Sequence, residues 1–146
     1  MWFKRIGYLS FLIYFLTINV SAEYKITVLA TNISNYGGFG EWSFSALYES
    51  DEESVLFDTG FHEDTVLHNA KVLNKDLSKV NKVVLSHFHS DHTGGLIKLR
   101  QVYKKLNADA FSEVYVARGF FDQRYYKDGS MAVSYTHLRA HETLTD

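Results

Sequence analysis

The sequence predicts a mixed α/β fold in a single domain, and three observations carry that prediction. Short strand-like segments follow one another early, and helical and strand-like periods alternate later. Between residues 23 and 132 there is no internal repeat, no low-complexity tract and no Pro to mark a linker. With 146 residues, 46% of them hydrophobic and 22% charged, the chain has the composition of an ordinary globular protein with a core.

Taken in order, "YKITVLA" reads as the first strand. "WSFSALYE" alternates Trp42, Phe44, Ala46 and Tyr48 with Ser43, Ser45 and Leu47, the period of a half-buried strand whose aromatic face is expected to pack in the core. "SVLFDTG" is a third strand ending in a Thr-Gly turn. Strands in such quick succession predict antiparallel hairpins. From Glu63 to Leu73 the spacing of Val66, Leu67, Ala70 and Leu73 predicts a helix, with acids in its first turn and Lys71 near its end as the helix dipole prefers. "KVVLS" is a short apolar run typical of a buried strand. Leu96, Leu99, Val102 or Tyr103, and Leu106 then mark a second helix, and "EVYVA" a last strand. This β-α-β order predicts parallel pairing, with functional groups gathered beyond the carboxyl ends of the strands, where Asp58 and a cluster of His residues fall.

The two ends read differently. Residues 1–22 have the form of an export signal: basic "MWFKR", an apolar stretch from Ile6 to Val20 that is short for a membrane span, and the small-x-small pattern "VSA" ending at Ala22. A periplasmic or extracellular location is expected, with an uncleaved anchor as the alternative and no stable membrane contact after cleavage. Removing these residues leaves 13 basic against 17 acidic side chains and no basic patch, which argues against a nucleic-acid partner and leaves a small molecule as the expected one. Residues 133–146 form the other exception. Val133 to Thr143 resembles the in-frame translation of a transposon-type sequencing adapter, so His137 and His141, although spaced i to i+4, are not counted as metal ligands. The expected organisation is thus a signal over 1–22, a partial domain over 23–132 and an artefactual tail over 133–146.

The chemistry lies in "VVLSHFHSDHTGGL", residues 83–96, which places His87, His89, Asp91 and His92 within six residues. On extended backbone, positions i, i+2 and i+4 point the same way, so His87, His89 and Asp91 are expected to converge and His92 to point elsewhere. Adjacent residues in a turn leading to a helix can address two centres, and one short segment can serve two metals about 3.5–4 Å apart. Gly94 and Gly95 are expected to help the turn by accepting backbone angles that other residues resist. The chain has no Cys, so any metal must be held by nitrogen and oxygen, a donor set that suits Zn and also admits Fe or Mn. Metal-activated water makes hydrolysis of an ester, amide, lactone or phosphodiester the natural reaction, with Asp91 placed to accept a hydrogen bond from that water or to move its proton to a leaving group.

His87-Phe88-His89-Ser90-Asp91-His92 resembles the H-x-H-x-D-H signature of the metallo-β-lactamase superfamily, with "LFDTG" upstream and "TGGL" downstream strengthening the likeness. The finer text, "VLFDTG", "VLHNAKVL", "DLSKVNKVVLSH" and "DHTGGL", is similar to the dihydropterin aminobenzene-phosphate synthase-related branch. The resemblance covers about Tyr24 to Ala117. It implies an αββα sandwich, two β-sheets stacked between helices, of which this stretch supplies the N-terminal half. It also implies two divalent metals, with His87 and His89 on the first, Asp91 and His92 on the second, and Asp58 orienting a ligand by a hydrogen bond. The family's further ligands have no match here. A binuclear hydrolase of that branch is the leading expectation; a β-lactam or lactone hydrolase of the same fold, and a non-catalytic metal binder, are the alternatives.

Bland roles compete for several other residues. Asp58 suits the turn after its strand, His62 the surface near a helix start, and His68 a solvent-facing helix position. Glu41 and Trp42 precede a strand and are as well suited to packing and turns as to substrate contact. The Gly-rich "YGGFG" lacks the Lys-Ser/Thr ending of a phosphate loop and reads as a flexible connection.

Overall fold

The structure, a computed structural model, describes residues 23–131. The expected signal and adapter-like tail, with His137 and His141, lie outside the described residues. Strands β1 (Lys25–Ala30), β2 (Ser45–Glu49) and β3 (Ser54–Phe57) come first, followed by helix α1 (Thr65–Val72) and a 3₁₀ turn (Leu77–Lys79). Strand β4 (Lys82–Leu85), the short helix α2 (Ser90–Thr93), helix α3 (Leu96–Tyr103) and strand β5 (Glu113–Val116) complete the order. The five strands form one sheet in sequence order, antiparallel from β1 to β3 and parallel from β3 to β5. The mixed α/β class and both pairing senses agree with the sequence reading.

Alternation along the strands decides which side of the sheet is core. Leu29, Leu47, Leu56, Val83 and Leu85 are buried in one cluster with Val66 and Ala70 of α1 and Leu99 and Tyr103 of α3. Each buried Leu or Val here contributes about 1.5–3 kcal/mol by leaving water. The opposite side carries a row that crosses all five strands in register, Val28, Ala46, Phe57, Val84 and Tyr115. Among the described residues no helix covers it, and Val28, Phe57 and Tyr115 are exposed. The aromatic side of β2 is therefore not the core face: Ser45 and Leu47 are fully buried, while Tyr48 is half-buried and Trp42 stands exposed before the strand begins.

Three local expectations are corrected. Helix α3 ends at Tyr103 and Leu106 is exposed, because the Arg100 guanidinium donates to the carbonyls of Ala108 and Ala110 and draws the following chain back along the helix. The Gly-rich loop is pinned rather than free. Asn69, buried on α1, donates to the carbonyls of Leu29 (2.7 Å) and Phe39 (2.8 Å) and accepts from the Phe39 N–H (2.8 Å). His68 on the same helix is not merely solvent-facing, since its ring stacks on Phe39 at 3.8 Å and its Nε2 meets the Gly37 carbonyl at 2.7 Å.

Candidate metal centre

Parallel pairing of β3 with β4 puts the carboxyl ends of both strands at one edge of the sheet, and the site grows from that edge. Beyond β3, the Asp58 N–H donates to the Val84 carbonyl at 2.9 Å, extending the ladder by one bond. Asp58 then turns with φ of 54°, a conformation in which Asp is among the few tolerated residues. This turn buries its carboxylate completely. Three donors meet it there: the Ser86 N–H on Oδ1 (2.7 Å), the Ser86 hydroxyl on Oδ2 (2.7 Å) and His92 Nδ1 on Oδ2 (2.6 Å). Ser45 Oγ donates to the Asp58 carbonyl at 2.8 Å and fixes the turn from β2.

After β4 the chain bends through residues 86–88 and returns to extended angles at His89, the N-cap of α2, with φ −67° and ψ 146°. Across this bend His87 and His89 meet, His87 Nε2 lying 3.0 Å from His89 Nδ1. Two nitrogens bound to one zinc at about 2.0–2.1 Å in tetrahedral geometry would be roughly 3.3 Å apart, so this pair is already close to a shared-ligand separation. The helical turn that begins at Ser90 overturns the expectation for the rest of the motif. Asp91 and His92 are on α2, and His92 does not point away: ligating atoms of His87, Asp91 and His92 all lie within 4.8 Å of one another. His92 Nε2 is 3.4 Å from Asp91 Oδ2. His89 touches this trio through His87.

The turn is held by backbone contacts with the segment after β3. The Thr59 N–H donates to the His92 carbonyl at 2.8 Å, and the Gly94 N–H to the Gly60 carbonyl at 2.9 Å. Gly94 and Gly95 have ordinary helical angles, with φ of −62° and −81°. Their need for glycine is spatial, not conformational: a Cβ at Gly94 would overlap the Phe61 carbonyl oxygen, and one at Gly95 the Thr59 carbonyl oxygen.

The electrostatics favour ligation. Burial, then the neighbouring charges of His92 and His89, holds His87 below the usual imidazole range, which keeps its ring available as a neutral donor at physiological pH. His92 shares its Nδ1 with Asp58 and leaves Nε2 toward the cluster, the arrangement in which a carboxylate fixes the tautomer of a metal-binding His. Two imidazoles and a carboxylate, with a third imidazole adjoining, form a donor set that fits a divalent metal such as Zn.

Other residues fall outside this cluster. His62 packs edge-on against Phe61 and is exposed. Glu41 is a buckle: its carboxylate accepts from Ser43 Oγ (2.6 Å), the Phe61 N–H (2.7 Å), Thr65 Oγ1 (2.8 Å) and the His62 N–H (3.1 Å). Burial pushes its pKa up, but these hydrogen bonds outweigh that and hold it below the ordinary glutamate value. Trp42 lines a recess of about 220 Å³ with Thr31, Asn32, Ser43, Asp91 and His92. Sequence reasoning missed Ser86, although its place between an apolar strand and the first His of the motif was the available signal.

Comparison with known proteins agrees with this geometry. Residues 43–109 match the model of the Metallo-beta-lactamase superfamily. Among relatives, a 7,8-dihydropterin-6-methyl-4-(beta-D-ribofuranosyl)-aminobenzene-5'-phosphate synthase of Methanocaldococcus jannaschii is 32% identical over 87 residues, covering 56% of this chain and 30% of that protein. The uncharacterized protein MJ0448 of the same archaeon is 35% identical over 71 residues, 49% of this chain and 27% of that one. Among solved structures, Tm1679, a metal-dependent hydrolase of the beta-lactamase superfamily, is 34% identical with a TM-score of 0.56, covering 75% of this chain and 36% of its own. The chain thus spans about a third of the length of these relatives.

Proposed function

We propose that the protein is a metal-dependent hydrolase acting on an ester, phosphoester or related bond of a small molecule. His87 and His89 would hold one divalent metal and Asp91 and His92 a second, zinc first, with iron or manganese as substitutes. The observation that carries this reading is the convergence of His87, Asp91 and His92 at the end of β4, with His89 adjoining through His87 and His92 braced by the buried Asp58. A metal bound there would bring the pKa of water toward neutrality and polarise the oxygen of the scissile bond. Asp91, a quarter exposed and beside His92 Nε2, is placed to take a proton from that water and pass it to a leaving group. The recess beside Asp91 and His92 supports a small substrate. Residues 1–22 would direct export, which suits a hydrolase meeting its substrate outside the cytoplasm.

A second reading, metal retention without turnover, is favoured by the ligand count. Among the described residues, two metals would share four protein ligands and leave both under-coordinated. The test combines metal analysis with kinetics on phosphoester, lactone and β-lactam panels for the wild type and His89→Ala. Turnover lost in His89→Ala supports the hydrolase. Bound metal with no turnover on any panel supports retention, and unchanged activity in the variant removes the proposed site.

A further inference from the structure

Ser86 stands between the buried carboxylate and the first histidine of the cluster. Its N–H and hydroxyl both go to Asp58, and the same Oγ lies 3.0 Å from His87 Nδ1. A serine hydroxyl has one proton and two acceptor lone pairs. With that proton given to Asp58 Oδ2, Oγ can only accept from His87, so the His87 proton must sit on Nδ1. Nε2, the atom 3.0 Å from His89, is then left with its lone pair directed at the cluster. On the other branch, His92 Nδ1 reaches the same Oδ2 directly. Both rings are thereby driven to one tautomer by a single carboxylate.

We propose that Ser86 is a positioning residue that extends the hold of Asp58 from one histidine to two, setting the ring orientation and the tautomer of His87. The inference rests on His87 as a metal ligand only for its functional consequence; the tautomer itself is a property of the metal-free protein. Ser86 is partly open to solvent, so a substitution that removes the hydroxyl admits water, which donates as readily as it accepts and no longer dictates where the His87 proton lies.

The experiment compares wild type, Ser86→Ala and Ser86→Thr, the last keeping a hydroxyl at the same distance from the backbone. Long-range ¹H–¹⁵N spectra of the metal-free protein at neutral pH read the tautomer of each ring, and competition titration with zinc alone reads affinity. Expected are Nδ1–H at His87 and His92 in wild type and Ser86→Thr. In Ser86→Ala, His87 should move to a mixed or Nε2–H state while His92 keeps Nδ1–H. Zinc affinity should fall about 10- to 100-fold in Ser86→Ala and stay within about twofold in Ser86→Thr. An unchanged His87 tautomer in Ser86→Ala overturns the proposal, as does loss of the His92 tautomer in the same variant, which would reduce Ser86 to a support for Asp58. Failure of the wild type to bind zinc would count against the metal reading alone, because the spectra still decide the tautomer.

Discussion

Replacing Asp58 with Asn keeps the size of the side chain and its tolerance of positive φ, and changes only which atoms can accept. The carboxylate takes one donor on Oδ1 and two on Oδ2. If the amide oxygen takes the Oδ2 position, the NH₂ faces the Ser86 N–H and that part-buried donor loses its partner. If the NH₂ takes that position, the Ser86 hydroxyl must turn and His92 must move its proton to Nε2, the atom meant for metal. The first arrangement costs about 1–3 kcal/mol of stability by leaving an amide unpaired. The second costs metal affinity, by the 10- to 100-fold typical of losing a partner behind a ligand, or about 1.4–2.7 kcal/mol. The chain will settle in whichever is cheaper, so urea unfolding and zinc competition must both be measured on the same variant. The expected result is a loss of at least about 1 kcal/mol in one of the two. An Asp58→Asn protein matching wild type in both stability and zinc affinity would refute the role assigned to the buried carboxylate.

Three further outcomes are expected. Gly95→Ala should destabilise the fold by about 1–3 kcal/mol, read from the urea midpoint, because the added methyl meets the Thr59 carbonyl within a backbone-to-backbone contact. Glu41 binds fewer protons folded than unfolded, so its stabilisation is present above about pH 4.3 and is lost as pH falls through its lower folded value. Glu41→Gln should flatten that part of the stability–pH curve and cost about 1–2 kcal/mol at neutral pH, since one amide oxygen cannot serve four donors. The protein should self-associate through the exposed row of Val28, Phe57 and Tyr115; sedimentation showing a monomer would contradict this.

Strand pairing and the position of the cluster were legible because they depend on local signals: period-2 alternation, the β-α-β order, and a dense His/Asp spacing at a strand end. What was misread depends on contacts distant in sequence. Alternation in β2 separates two faces but does not say which one the helices cover, and the small Ser45 and Leu47 side took that place, not the aromatic side. The extended geometry assumed through Asp91 failed because the segment after β3 clamps residues 92–94 into a helical turn, thirty or so positions away in sequence. Gly94 and Gly95 were recognised as necessary for the wrong reason, since close approach of another backbone leaves no mark in local conformation. Asn69 and Glu41, polar residues in otherwise unremarkable contexts, tie the loop before β2 to α1 and carry no pattern of their own.

The claim that the motif at the end of β4 is a metal centre is tested most directly by zinc K-edge absorption on the protein loaded with substoichiometric zinc. The account predicts a shell of nitrogen and oxygen at about 2.0–2.1 Å with imidazole scattering, abolished together with tight binding in a His87→Ala/His92→Ala variant. An identical spectrum and affinity in that variant would place the metal elsewhere and contradict the account.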